Sequence, residues 1–329
     1  MTQRETGRPV RKSDRPLRVF VTGATGYIGS AVVRELAAAG HEVSGLTRWA
    51  DKTVYLKELG ARPVVGDLVD AASYRDVAID HDVLIHIAEA EVERRVQVDR
   101  AAVDGLLGAA RVILDHDDDA RRMFIYTSGC YVLGETGDRP AGEDASTDNA
   151  PELVAWRADH ERFVLDAADD RLAAAVIRPG MVYGGHGGAF GALFASAEQN
   201  GAAEFVGDGT NHWSPVYVGD VARLYRLVAE TTARGIYHCA EDEAARVGNL
   251  AVAASRVTSA VGRTRRIRLE DARRSMGAFA DALVMDQVMA SPRSHALGWR
   301  HQHPPFMDSA AAVFAEWRAG PGLSRSSDS

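Results

Sequence analysis

The sequence predicts an α/β protein built on a doubly wound parallel sheet, with a smaller C-terminal lobe. Three observations predict it. Short apolar, β-branched runs alternate with segments of helical periodicity over residues 17–180. The first run passes directly into a glycine-rich turn that opens a helix. The alternation then fails near Gly184, where shorter mixed elements begin. Runs that are apolar throughout mark strands covered on both faces, as parallel strands between helical layers are.

The elements follow in order. Residues 17–22 (Leu-Arg-Val-Phe-Val-Thr), bounded by Pro16 and Gly23, read as the first strand. Residues 27–39 place Ile28, Val32, Val33 and Leu36 at helical spacing and stop at Gly40. A strand at 42–46, a helix at 53–59 stopped by Gly60 and a strand at 62–65 come next. Residues 71–78 read as helix, 82–87 as strand, 91–114 as a long helix, 122–127 as strand, 152–168 as helix and 173–178 as the sixth strand. A helix over 219–231 is expected to pack back on the sheet. The predicted organisation is a disordered tail at 1–15, a cofactor-binding unit at 16–185, a mainly substrate-binding lobe at 186–320 and a Ser-rich tail at 321–329.

The first turn carries chemistry. Gly23-Ala24-Thr25-Gly26-Tyr27-Ile28-Gly29 has the pattern G-x-x-G-x-x-G between strand and helix. Gly23 permits the tight turn, Gly26 lets the backbone approach a pyrophosphate, and Gly29 lets helix pack on strand. The exposed amides and helix dipole then hold the anion. Three glycines alone say little; the strand before and the helix after supply the required context. The second strand selects the dinucleotide. Its tip reads Gly45-Leu46-Thr47-Arg48, with no carboxylate to accept from a ribose 2′-hydroxyl. Arg48, with Lys52 one turn further on, suits a 2′-phosphate, so the expected cofactor is NADP(H).

Composition excludes other classes. Cys130 and Cys239 are the only cysteines in 329 residues, too few for a disulfide scaffold or a four-thiolate zinc site. His301-x-His303 lacks the neighbouring carboxylates or thiols of a metal centre, and no metal is expected. The acidic stretch at 115–119 reads as a solvated connection. No run of about 18 uncharged apolar residues is present, and the basic N-terminal stretch has no apolar segment behind it. A net charge of −8 argues against a nucleic-acid partner. The expectation is a cytoplasmic protein, monomer or homodimer, away from membranes, whose partner is a small molecule.

The chain resembles the extended short-chain dehydrogenase/reductases of the NAD-dependent epimerase/dehydratase family, whose cofactor unit is the Rossmann fold. The glycine turn, Gly66-Asp67-Leu68, His86-Ile87-Ala88, residues 124–129, residues 178–184 and residues 216–222 carry the resemblance, in order, over about 17–235. It implies that Thr25, Tyr27 and Ile28 join the phosphate turn, that Asp67 and Leu68 flank the adenine, and that Ile87 and Ala88 line the cofactor's middle. Thr127 and Ser128 would meet the cofactor at the fifth strand. Pro179, Gly180 and Val182 would hold the nicotinamide end.

The departure from the family is as informative. Its members normally carry Tyr-x-x-x-Lys, with tyrosine as proton donor and lysine as its activator and ribose ligand. The only lysines here are Lys12, Lys52 and Lys57. Alignment puts Trp156 at the tyrosine position and His160 at the lysine position, and Gly129 in the usual hydroxyl slot with Ser128 one residue early. Ser128, His160, Trp156, Tyr131 and Tyr183 are the remaining candidates for catalysis, and His186 sits in a glycine run that reads as a lid or a plain turn. A ketone with a neighbouring hydroxyl supplies its own proton, as aromatic polyketides do. The expected function is therefore an NADPH-dependent ketoreductase acting on a bulky aromatic natural product. A nucleotide-sugar epimerase or reductase, and a non-catalytic NADP-binding redox sensor, are the alternatives.

Overall fold

The computed structural model describes residues 15–116, 121–137 and 139–320. Residues 1–14, 321–329 and most of the acidic connection at 115–119 lie outside the described residues. The strands are β1 (Arg18–Thr22), β2 (Glu42–Thr47), β3 (Arg62–Val65), β4 (Val83–His86), β5 (Arg122–Thr127), β6 (Leu172–Pro179), β7 (Met181–Tyr183), β8 (Ala203–Val206), β9 (His212–Trp213), β10 (Pro215–Tyr217), β11 (Gly235–Cys239), β12 (Ala245–Arg246) and β13 (Thr264–Ile267). The helices are α1 (Tyr27–Ala38), α2 (Thr53–Glu58), α3 (Arg75–Ile79), α4 (Arg95–His116), α5 (Glu152–Asp166), α6 (Gly188–Asn200), α7 (Val218–Thr231), α8 (Val247–Arg256), α9 (Leu269–Met276), α10 (Phe279–Leu283), α11 (Pro292–Leu297) and α12 (Phe306–Ala319).

Seven parallel strands form one sheet in the order β11-β6-β5-β4-β1-β2-β3. The chain leaves β1 in one direction and returns to β4 on its other side, which opens a crevice at the carboxyl ends of the central strands. Alternate residues sort to opposite faces. Val19, Val21, Ile85, Ile125 and Ile177 pack on the side of α1 and α7. Phe20, Leu84, Phe124, Tyr126 and Val176 pack on the side of α3, α4 and α5. Each such fully buried aliphatic side chain contributes about 1.5–3 kcal/mol. Helix α7 does pack back on this sheet, through Val221, Leu224, Tyr225 and Val228.

Three differences from the sequence reading have local causes. The helix expected at 71–78 divides at Tyr74, because the Ser73 hydroxyl donates to Asp70 O at 2.6 Å and accepts from Asp67 N at 3.0 Å. The long helix begins at Arg95 instead of Glu91, leaving 88–94 as a loop over the crevice. A seventh strand, β11, pairs with β6 beyond the region where regular alternation was read.

The remaining elements enclose a second core with Phe190, Phe194, Trp213, Phe306 and Phe314 at its centre. The rings of Phe190 and Phe306 lie 4.5 Å apart, centroid to centroid. None of the helices among the described residues is long and apolar enough to cross a membrane.

Candidate active site

The crevice is a cavity of about 600 Å³ built from the glycine turn outward. Gly23 has φ +67°, and a Cβ there would lie 2.6 Å from Ala88 Cα. A Cβ on Gly29 would lie 2.0 Å from Gly23 O. The bare backbone therefore lets β1, β4 and α1 converge. Helix α1 starts with no side-chain cap and no acidic residue in its first turn, so its first amides face the crevice available to an anion.

Twelve of the residues singled out from sequence line this cavity: Gly23, Thr25, Gly26, Tyr27, Ile28, Arg48, Asp67, Leu68, Ile87, Ala88, Thr127 and Ser128. Four others are not among the lining residues. Lys52 sits in a short 3-10 turn at Ala50–Lys52, outside the wall. Pro179 and Gly180 are drawn into strand pairing, where Gly180 N donates to Cys239 O at 2.9 Å and a Cβ on Gly180 would lie 2.2 Å from Ser214 O. Val182 pairs with Val216 and packs on the sheet core.

One end of the cavity has Leu46, Arg48, Trp49, Asp67, Leu68 and Val69 in its wall. The Trp49 side chain is 60% exposed, and the Arg48 guanidinium carbon lies 5.7 Å from its ring centroid. The sequence reading passed over Trp49, although an exposed tryptophan at a strand tip was the available signal. Thr127, Ser128, Glu89 and Arg157 also line the cavity. Ser128 N donates to Ile177 O at 2.9 Å, while its buried Oγ has no hydrogen-bond partner. Arg157 Nη1 donates to Thr127 O at 3.2 Å, and Nη2 lies 3.4 Å from Glu89 Oε1.

A buried polar network backs this region. Asp99 Oδ2 accepts from His160 Nδ1 at 2.6 Å and from Tyr126 OH at 2.9 Å, and Oδ1 lies 3.3 Å from His86 Nε2. His86 Nδ1 lies 2.7 Å from Thr22 Oγ1. Burial on its own pushes the Asp99 carboxyl up, but the donated bonds from His160 and His86 and the charge of Arg157 carry it well below the usual carboxylate range. Burial on its own lowers Arg157, and Tyr126, Asp99 and Glu89 more than offset it, so the guanidinium's pKa is raised.

The other catalytic candidates stand elsewhere. His160 is committed to Asp99 and does not line the cavity. Trp156 donates its indole N–H to Leu153 O at 3.1 Å and packs edge-on against His160. Tyr131 donates to Met181 Sδ at 3.5 Å, and burial pushes its phenol far above the ordinary value. Tyr183 donates to Glu241 Oε1 at 2.6 Å within the second core. Tyr27 lines the cavity, but its hydroxyl donates to Gly184 O at 2.8 Å and so fixes the glycine run. His303 stacks on Tyr217 at 3.9 Å, and His301 Nε2 lies 3.1 Å from Asp242.

Sequence reasoning missed Arg157, Glu89 and Asp99. Arg157 had a signal: in a chain with only three lysines, a cation needed on this helix has to be arginine, and Arg157 lies one turn before Glu161.

The uncapped helix start, the glycines that a Cβ would block and the unpartnered Ser128 hydroxyl all fit an elongated diphosphate ligand. Fold and cavity together define an α/β protein of the short-chain dehydrogenase/reductase kind. Residues 19–240 match the family described as NAD dependent epimerase/dehydratase, and the chain belongs to that family. It is 28% identical to an uncharacterized protein of Saccharomyces cerevisiae over 309 residues, covering 91% of this chain and 99% of that one. It is 27% identical over 221 residues to the 4-hydroxy-2-methyl-3-oxo-4-farnesyl-3,4-dihydroquinoline-1-oxide ketoreductase of Stigmatella aurantiaca, covering 65% of each. The fold matches Thermus thermophilus UDP-glucose 4-epimerase in complex with NAD, with a TM-score of 0.74 at 22% identity over 92% of this chain and 99% of that chain.

Proposed function

We propose that this protein is an NADPH-dependent ketoreductase that reduces a carbonyl on a bulky, aromatic, polyketide-type molecule. The observation that carries the reading is the make-up of the cavity wall: it holds the phosphate turn, Arg48 and Ser128, and its single phenol, Tyr27, is committed to Gly184. A nicotinamide, when bound, supplies the hydride. The residues do the rest. The amides of the α1 start take the pyrophosphate, and Arg48 takes the 2′-phosphate by charge-assisted hydrogen bonds. Ile87 and Ala88 pack along the middle, and Thr127 and Ser128 orient the reacting end.

Without an activated phenol, the proton for the new hydroxyl comes from a hydroxyl beside the substrate carbonyl. That requirement favours aromatic hydroxyketones over simple ketones. The similarity to the Stigmatella ketoreductase supports a carbonyl substrate; an angucyclinone ketoreductase of the simocyclinone-pathway kind is the particular form of the reading. A nucleotide-sugar epimerase or reductase is the second reading, supported by the fold match to UDP-glucose 4-epimerase. The test is NADPH consumption with a panel of aromatic hydroxyketones and of nucleotide 4-ketosugars, alongside dissociation constants for NADPH and NADH. The reading expects turnover in the first panel and tighter NADPH. Turnover confined to the ketosugars, or equal affinity for the two nucleotides, overturns it.

A further inference from the structure

We infer that Arg157 and Ser128 form an oxyanion-holding site in the cavity, which takes the oxygen of the reacting carbonyl where relatives present a phenol and an ammonium. This rests on the reductase reading above. The Arg157 side chain is 13% exposed and in the cavity wall. Thr127 O, Glu89 and a hydrogen bond with Tyr126 take three of the five N–H donors of the guanidinium, whose carbon lies 4.6 Å from the Trp156 ring centroid, so two donors stay open to the cavity. The Glu89 side chain is 58% exposed on the loop before α4, so its ion pair with Arg157 is of the weak, solvent-screened kind that a bound anion displaces. Asp99 behind is already occupied by His160, His86 and Tyr126, so it supplies a fixed negative charge that keeps Arg157 charged without covering it.

Ser128 supplies the second donor. It is 9% exposed, it lines the same cavity, and its Oγ is buried with no partner in the protein. A buried hydroxyl without a protein partner is completed by a ligand or a water, and Ser128 is a cavity-lining residue of that kind. Its neighbour Thr127 is different: Thr127 Oγ1 is 2.6 Å from Tyr225 OH and is spoken for.

The chemistry balances. Hydride from the C4–H of a reduced nicotinamide bonds to the carbonyl carbon, and the C=O π pair moves onto oxygen. The resulting alkoxide is held by the Arg157 N–H groups and the Ser128 hydroxyl, and takes its proton from the adjacent substrate hydroxyl or from water; the nicotinamide leaves oxidised. A guanidinium does not give up a proton near neutral pH, so Arg157 stabilises the charge and is not the acid.

The experiment uses the NADPH-loaded protein and two probes of one shape, benzoate and benzamide, titrated by calorimetry. The parent binds benzoate at least about tenfold more tightly than benzamide. Arg157→Gln loses that preference, and Arg157→Lys keeps part of it. With an aromatic hydroxyketone at saturating NADPH, Arg157→Gln lowers kcat by about 10²–10³-fold, the scale of one lost oxyanion donor, while NADPH affinity stays within threefold; Ser128→Ala lowers kcat by roughly tenfold. Equal binding of the two probes by the parent overturns the inference, as does a benzoate preference that survives Arg157→Gln. If saturating NADPH restores parental kcat to Arg157→Gln, the residue anchors the cofactor and the inference fails. The probe titration needs no turnover, so a parent that reduces no ketone sinks the reductase reading while leaving the anion site to be judged separately.

Discussion

At the glycine turn, backbone approaches backbone: Gly23, Gly29 and Ala88 come together because two of them have no side chain. Around Phe306 the opposite holds, and ring meets ring, with Tyr183, Phe190 and Phe194 all within 6.2 Å of it, centroid to centroid. Both regions are dense, and the first leaves polar groups open along the cavity wall, the amides of the α1 start and the Ser128 hydroxyl. In the second, even the Tyr183 hydroxyl is paired with Glu241. The contrast separates a cavity wall with open polar groups from a core that holds the C-terminal elements in place.

The comparison breaks most visibly at Phe306. Phe306→Ala opens a cavity in the aromatic core and lowers stability by about 3–5 kcal/mol in urea unfolding, while the NADPH dissociation constant of the folded fraction changes little. Gly29→Ala does the reverse. Its methyl has to displace the Gly23 carbonyl, so NADPH affinity, measured by fluorescence titration, falls at least 100-fold, about 2.7 kcal/mol. Equal effects of the two substitutions on affinity would show that the two regions are not separable.

His238 sharpens the seam between them. It lies on β11, its Nδ1 is 3.0 Å from Ala290 O, and its Nε2 faces Arg178. Burial, then the neighbouring Arg178 charge, lowers its pKa from 6.5 to about 4. The unfolded chain thus binds a proton that the folded chain refuses between those values. The stability from neutral His238 is complete above about pH 6.5 and is lost as pH falls toward 4, by about 3 kcal/mol. His238→Gln should flatten that part of the stability profile; an unchanged slope would assign it to other groups.

Smaller effects concern the cavity itself. Arg48→Asp weakens NADPH by about 1–3 kcal/mol and NADH by much less, read as a change in the ratio of dissociation constants. Tyr131→Phe is the mildest. Its hydroxyl reaches only a methionine sulfur, so kcat/KM on an aromatic hydroxyketone changes less than tenfold. A dead Tyr131→Phe that still binds NADPH would make that phenol the acid.

The sheet was legible because its determinants are local: apolar runs of strand length, a helix stopped at Gly40 and glycines spaced for one turn. The tip of β2 was equally readable, since Arg48 sits at a strand end whose direction the turn already fixes. Elements past Gly184 were not, because strands of two to four residues, such as β9 and β12, carry no periodicity of their own and exist through pairing with distant partners.

What the sequence determined by itself, then, was the alternating α/β layout, the glycine turn between β1 and α1 and the absence of any lysine after Lys57. The tertiary structure alone decided which side chain on α5 enters the cavity. Trp156, Arg157 and His160 share one helix, but α5 packs so that His160 is consumed by Asp99 and Arg157 points to Thr127 and Glu89. Aligning the chain by spacing from tyrosine to lysine selects His160. The rotation of a helix about its own axis is fixed by the partners on every side of it, and those come from β5, α4 and the loop after β4, each far away in sequence.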